Sequence, residues 1–247
     1  MAISSIEEPK TDNPFTQGLC LPVLVDADII TYRAAFSPDS VCEESCKAKV
    51  DDVVDFIKHH TSVIDVGQYE FHLTGKGNFR KDIAVTAEYK ANRKGKERPV
   101  WLDTARDYLI TGYNAIVSEG QECDDAVAIR ATEMNYNCIA ASVDKDFLQI
   151  PCWHYNFGRN EWYKPEPFEA TRFFYQQILH GDSTDNIIGL WKIGPVKAAK
   201  LLVDCTTEKE LYEAVLLAYD GNEDRVLENA RLLWLRRYYG EMWIPPT

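Results

Sequence analysis

Hydrophobic and polar positions along this chain follow two periods in turn. Residues 19–30 open as an unbroken apolar run, Leu19 to Val25, closed by Asp26; the run predicts a first buried strand reaching to Ile30. A helix or turn follows at 31–36. Over 42–66, Val50, Val53, Val54 and Ile57 recur at helical spacing, with Val63 and Ile64 less regular. Residues 69–74 alternate and read as a second strand. A helix follows over 100–109 through Trp101, Leu102, Ala105, Tyr108 and Leu109, then a short strand at 115–118. An acidic cap precedes a helix that opens at Ala126, and the apolar run 138–143 reads as a further buried strand, followed by another at 153–157. Strands alternating with helices indicate an α/β fold with a mostly parallel sheet. The turn-rich stretch 160–167, with two prolines, marks a boundary. Beyond it the pattern is helical at 171–179, from Pro195, at 208–218 and at 225–238. The expected organisation is a loose arm at 1–18, an α/β domain at 19–165 and a smaller helical region at 166–247.

The chain has 247 residues, 45% hydrophobic and 12% aromatic, which excludes a disordered class. Its net charge of −12 and pI of about 4.9 exclude non-specific polyanion binding by the whole surface. The segment 76–98 departs from this balance. It carries eight basic residues (Lys76, Arg80, Lys81, Lys90, Arg93, Lys94, Lys96, Arg98) against three acids, a local +5 that leaves the remainder at −17. Glycines and charge predict a mobile loop with helical pieces. Its cations suit a phosphate backbone, and Phe79 and Tyr89 suit stacking on splayed bases. His59 and His60 read as solvated or dipole-capping, and His72 as packed. The seven cysteines lack zinc-site spacing, so reduced thiols in a cytoplasmic protein are expected. No apolar run has membrane-spanning length, so no membrane partner is expected.

Acids mark the candidate chemistry. Glu122, Asp124 and Asp125 stand where a helix begins, and Asp144 and Asp146 follow the apolar run 138–143. Asp26 closes the first strand. Ligand crevices of open α/β sheets lie beyond the carboxyl ends of strands, so these acids should converge. Crowded carboxylates raise one another's pKa unless cations lie between them, and oxygen-only ligands favour magnesium or manganese. Further on, Gly189 and Gly194 bracket a tight connection and Pro195 fits the first position of a helix. The N–H groups there, with Lys192, Lys197 and Lys200, form an expected backbone grip on duplex DNA.

Five elements in order resemble one family, the metal-dependent 5′→3′ exonucleases and flap endonucleases, especially their bacteriophage members. They are Val25–Asp28 (Val-Asp-Ala-Asp), Tyr-Lys-Ala-Asn-Arg-Lys at 89–94, Glu-Cys-Asp-Asp at 122–125, Val-Asp-Lys-Asp-Phe at 143–147, and Gly-Asp-Ser-Thr-Asp-Asn at 181–186 before Gly-Leu-Trp-Lys-Ile-Gly. The resemblance implies a PIN-like nuclease domain and a helix–three-turn–helix element at 178–202. It implies that Asp26, Glu122, Asp124, Asp125, Asp144, Asp146, Asp182 and Asp185 hold two or more divalent ions. It further implies an arch at 76–98 whose Lys90 and Arg93 contact the scissile phosphate, with Tyr89 near the terminal base and Arg80, Lys81 and Lys94 among its nucleic-acid contacts. Gly194 of the hairpin joins the nucleic-acid contacts, and backbone carbonyls of the hairpin would hold a potassium ion. The implied partners of this monomer are DNA with 5′ ends, flaps or nicks, and RNA–DNA hybrids. One departure stands out: the family's acid after the second strand is here Gly75, and Asp28 is the expected substitute. Two alternatives remain: a haloacid dehalogenase-type magnesium phosphatase, from Asp26-Ala-Asp28 and the late 181–186 motif, and a catalytically weakened DNA-binding relative.

Overall fold

The computed structural model describes residues 21–61 and 68–247; the expected arm at 1–18 and the helical positions Val63 and Ile64 lie outside them. The strands of the main sheet are β1 (Val23–Asp26), β2 (Tyr69–Thr74), β3 (Ile116–Ser118), β4 (Ile139–Ala141), β5 (Trp153–Asn156) and β6 (Glu161–Tyr163). They lie in the order β3-β2-β1-β4-β5-β6, parallel throughout except for the final β5–β6 hairpin. Strand order reverses direction between β1 and β4. In an open parallel sheet this switch point is where a crevice forms.

Pleating distributes β1 between two cores. Val23 and Val25 pack with helices α1 (Ala27–Ala35), α2 (Glu43–Thr61) and α4 (Leu102–Tyr113), whereas Leu24 packs with α5 (Cys123–Glu133) on the opposite face. Between β2 and α4 the chain carries the single-turn helix α3 (Arg80–Ile83). Helices α6 (Pro167–His180), α7 (Pro195–Leu201), α8 (Glu208–Ala218) and α9 (Glu223–Leu233) enclose a separate cluster around Phe174, Ile178, Leu211 and Ala230. Gln149 joins the two parts: its amide donates to Gln177 and to the Leu233 carbonyl, both at 2.8 Å. The six described cysteines are free thiols, and His72 is packed at 4% exposure. No helix among the described residues is long and apolar enough to cross a membrane.

The structure corrects five expectations. The first strand stops at Asp26, and a helix begins at Ala27 rather than after Ile30. Ala27, Ile30, Thr31 and Ala34 are all buried, a helical spacing that a continuous apolar run conceals. The expected turn at 160–167 contains β6, and the expected all-helical region contains the two-stranded ribbon β7 (Gly181–Asp182) and β8 (Ile187–Ile188). Helix α9 ends at Leu233, not near 238, because Trp234 turns extended and the Arg236 N–H is drawn to Asp125 at 3.2 Å. The segment expected to be mobile is docked: Lys90 N–H donates to the Asp185 carbonyl at 2.8 Å, and the Asn186 side chain to the Glu88 carbonyl at 2.9 Å.

The α6–α7 hairpin depends on glycine at one crossing. Gly181 has φ +69°, and a Cβ on Gly189 would lie 2.2 Å from the His180 carbonyl carbon and 2.4 Å from the Gly181 nitrogen. Gly194, the cap of α7, has open space around it. Gly189→Ala should therefore cost at least about 1–3 kcal/mol, an overpacking penalty against immovable backbone, while Gly194→Ala should cost about 0.5–1 kcal/mol, the loss of a glycine cap alone. Chemical denaturation of both variants checks the contrast; equal stability would remove the close crossing.

Candidate metal and nucleic-acid site

A cleft of about 630 Å³ opens at the β1–β4 switch point, and Asp26, Asp28, Glu122, Asp124 and Asp144 line it. Each acid is placed by a local rule. Asp26 is the last residue of β1, Glu122 caps α5 with Asp124 in its first turn, and Asp144 caps the 3-10 turn Lys145–Gln149 after β4. Negative charge at the start of α5 suits the positive end of the helix dipole.

Burial governs the electrostatics. Asp26 is 6% exposed and accepts the Ser142 hydroxyl at 2.9 Å. Burial first, then Asp28 and Asp144, push its carboxyl up to about 7 against that hydrogen bond. Burial likewise raises Asp28 and Asp144, with Asp185 and Asp182 close enough to push Asp144 further. Asp124 is raised well above the usual range by burial, Asp125 and Glu122. Asp146 is pushed up to about 6 by burial and Asp144. Glu122 goes the other way: burial works to raise it, but Lys90 and Arg80 prevail and hold it at about 2. Asp182 also falls, because Lys145 and the N–H groups of Thr184 and Asp185 outweigh its burial.

Protein cations already sit between several of these acids. Lys90 Nζ contacts Glu122 Oε1 and lies 3.5 Å from Asp185, while Tyr89 OH donates to Glu122 at 2.5 Å and to Asp185 at 2.8 Å. Arg93 pairs with Asp185 at 2.8 Å. Lys145 bridges Asp146 and Asp182, and Gln177 donates to Asp146 at 2.7 Å. Thus seven of the eight expected ligands form one connected acidic network. The remaining acid, Asp125, does not face the cleft. It is fully buried, and Arg80 grips both its oxygens at 2.5 and 2.8 Å.

That pairing also corrects the reading of Arg80. It is 2% exposed, with Nε and Nη2 donating to the Leu232 and Trp234 carbonyls at 2.8 and 2.9 Å and Nη1 also 3.6 Å from Glu122, so it is a buried structural cation and not an open phosphate contact. Tyr89 is 4% exposed and packs in the helical core, not open for base stacking in this conformation. Lys81 is exposed, and Lys94 is exposed with Glu88 as its partner at 2.6 Å. On the hairpin, Lys192, Lys197 and Lys200 are exposed, and Lys197 donates to the Lys192 carbonyl at 3.0 Å.

Sequence reasoning missed two residues of the cleft. Thr74 pairs with Ser118, which sets Gly75 beside Glu119. A Cβ on Gly75 would lie 2.8 Å from Glu119 Oε1: the Glu119 carboxylate fills the space that a side chain at 75 would take. Lys76 N–H fixes its other oxygen at 2.8 Å. The second is Arg106 of α4, which pairs with Asp28 at 3.0 Å. Asp28 also accepts the Thr74 N–H at 3.2 Å. Only register and packing reveal either residue.

The donor set fits hard divalent cations. Asp26, Asp28 and Cys123 place one ligand atom each within 4.8 Å of one another. Burial raises the Cys123 thiol well above its ordinary range, and its sulfur donates to the His72 carbonyl at 3.0 Å. The sulfur therefore stays protonated, and the oxygens remain as ligands. The arrangement does not match a haloacid dehalogenase, because Asp182 follows helix α6 on the small ribbon, not a strand of the main sheet.

No protein-family model matches the chain. In sequence it is 30% identical over 146 residues to flap endonuclease Xni of Shewanella halifaxensis, covering 53% of this chain and 58% of that one. It is 28% identical over 184 residues to flap endonuclease Xni of Vibrio cholerae, covering 68% and 70% respectively. The chain thus spans less than two thirds of the Shewanella relative's length. Its fold is that of the flap endonuclease of bacteriophage T5, solved as a pseudo-enzyme–product complex with DNA and metal ions. The TM-score is 0.66 at 15% identity, over 85% of this chain and 88% of that chain.

The Asp26 carboxyl sets a pH dependence. Its ordinary value is 3.8 and its folded value about 7, so between them the folded chain holds a proton the unfolded chain has released. Its contribution to stability therefore falls as pH rises through that window. In chelator, Asp26→Asn should gain stability relative to the parent chain from about pH 4 to about pH 7, by a few kcal/mol across the window. Urea denaturation at several pH values measures this; a pH-independent difference would contradict the assignment.

Proposed function

We propose that this chain is a divalent-metal-dependent 5′→3′ exonuclease and flap endonuclease that hydrolyses phosphodiesters of DNA, and of RNA in RNA–DNA hybrids. One observation carries the reading: acids from β1, α5 and the turn after β4 meet in one cleft at the sheet's switch point, faced by Lys90. The sequence likeness to flap endonucleases supports the same reading. Its substrates would be DNA with 5′ ends, flaps or nicks, bound by a monomer in the cytoplasm.

Asp26, Glu122, Asp124 and Asp144 would hold magnesium or manganese, with Asp146, Asp182 and Asp185 completing the set. Bound divalent ions supply the Lewis acidity that activates water and offsets charge on the phosphodiester. Lys90 and Arg93, now paired with Glu122 and Asp185, would turn to the phosphoryl oxygens as charge develops there. Phosphodiesters hydrolyse very slowly unaided, so charge stabilisation is the main requirement. Lys192, Lys197 and Lys200, with Gly194, would bind the duplex backbone, and backbone carbonyls of the hairpin would be available to a potassium ion. Lys81 and Lys94 would add phosphate contacts. We assign the place of the absent acid at Gly75 to Glu119, whose carboxylate occupies that volume; Asp28, held by Arg106, is the competing candidate.

A 5′-labelled flap duplex incubated with magnesium should be cut, and chelator or Asp144→Ala should abolish cutting while the DNA still binds. Binding without cutting by the parent chain would instead favour a non-catalytic DNA-binding relative. For the ligand assignment, Glu119→Gln should weaken manganese binding, followed by calorimetry, by about tenfold or more. A loss confined to Asp28→Asn would move the role to Asp28.

A further inference from the structure

Outside the acidic cleft, one carboxylate holds the basic segment in place. Glu228 lies on α9 with a side chain 10% exposed. Its Oε1 accepts the backbone N–H groups of Val85 and Thr86, each at 2.7 Å. Its Oε2 accepts the Thr86 hydroxyl at 2.5 Å and Arg225 Nη1 at 2.7 Å. Four donors converge on two oxygens, which an amide with a single acceptor oxygen cannot satisfy. Val85 is itself 86% exposed and Thr86 is exposed too, so packing does not fix these two residues.

The contact continues beyond α9. Arg225 Nη2 donates to the Ile188 carbonyl at 2.7 Å, and Asn229 Nδ2 reaches the same oxygen at 2.9 Å. Ile188 belongs to β8, immediately before the Gly189 crossing of the α6–α7 hairpin. An unbroken run of hydrogen bonds therefore links the hairpin, through Arg225 and Glu228, to Val85 and Thr86. Those two residues lie just upstream of Tyr89 and Lys90, and Lys90 is in turn stitched to Asp185. Both ends of the short docked stretch are thus tied to the helical region.

We infer that Glu228 is a positioning residue that clamps the basic segment to the hairpin, so that duplex engagement by the hairpin is coupled to presentation of Lys90 and Arg93 at the cleft. This coupling rests on the nuclease reading above; the clamp itself does not. The stretch at Val85 and Thr86, held by hydrogen bonds to exposed backbone, lies at the low-stability end of the structure and opens locally when its anchor is lost.

Hydrogen exchange on the full chain tests the clamp without DNA or catalysis. In Glu228→Ala and Glu228→Gln, peptides over 84–94 should exchange about tenfold faster than in the parent chain, with β1 unchanged. Thr86→Val, at an exposed position, should shift the same peptides in the same direction and by less, and decides the matter if Glu228→Ala fails to fold. Unchanged exchange at 84–94 overturns the clamp. For the coupling, flap duplex added in chelator should slow exchange at 84–94 in the parent chain but not in Arg225→Ala. Single-turnover cleavage by Glu228→Gln should fall about ten- to a hundredfold while the Kd for the same DNA stays within about threefold. A rate loss matched by an equal loss of affinity, or no slowing by duplex in the parent chain, overturns the coupling. If the parent chain binds the duplex yet never cuts it, the nuclease reading fails while the exchange data still decide the clamp.

Discussion

Like charges forced together out of water are the constraint on which this structure depends. The β1–β4 switch point gathers acids from elements far apart in the chain, and burial there penalises their ionised forms. The protein answers with cations of its own. Lys90, Lys145 and Arg106 each reach into the acidic network, and the outcome depends on how far burial outweighs them. Glu122 beside Lys90 and Asp182 beside Lys145 titrate low; Asp146 and Asp28 stay high despite Lys145 and Arg106, and Asp26 and Asp124, with no lysine in contact, titrate high. This division indicates where external cations gain most. An ion beside Asp26 and Asp124 would relieve charge that no protein group offsets directly, whereas one beside Glu122 must compete with Lys90.

The same residue types serve two unlike purposes here, and depth decides which. Arg80 and Asp125 look like members of the basic and acidic motifs, yet they form a fully desolvated bidentate pair. Removing one partner from such a pair is strongly destabilising, because the other charge is then stranded. The pair, with the Leu232 and Trp234 carbonyls, fastens the base of the basic segment to the start of α5 and the end of α9. Its role is to hold the frame, while Lys90 and Arg93 on the same segment stay partly exposed.

What was legible in the sequence follows from the range of each signal. Asp26 and Asp144 end apolar runs and Glu122 precedes a helix, so local pattern sufficed to place them at the carboxyl edge of a parallel sheet. The start of α1 was not legible, because its buried positions merge with the apolar run of β1. The ribbon β7–β8 escaped because two-residue strands have no periodicity to detect. Glu119 matters only through the pairing of Thr74 with Ser118, and Glu228 only through a contact 142 residues away. Neither carries a local signature. The burial of Arg80 is likewise a tertiary fact: nothing in its surroundings along the chain (Asn78, Phe79, Lys81, Asp82) marks it as buried, and its partners come from α5 and α9.

The basic segment is where these constraints meet. A stretch of +5 beside an acidic cleft could lie flat against it by charge alone, which would block any substrate phosphate. Instead its geometry is over-determined by contacts that do not use its own lysine and arginine charges. Tyr89 buries its ring in the helical core, Asn92 donates to the Ser183 and Thr184 carbonyls at 2.7 and 3.0 Å, and Glu228 takes the N–H groups upstream. Lys90 has a left-handed backbone, φ 58°, which a lysine adopts only where its surroundings impose it. Position is therefore set by backbone bonding and packing, and the lysine and arginine charges are free to exchange carboxylate partners for phosphate without the segment leaving its seat. A gate whose location does not depend on its charges can spend those charges on the substrate.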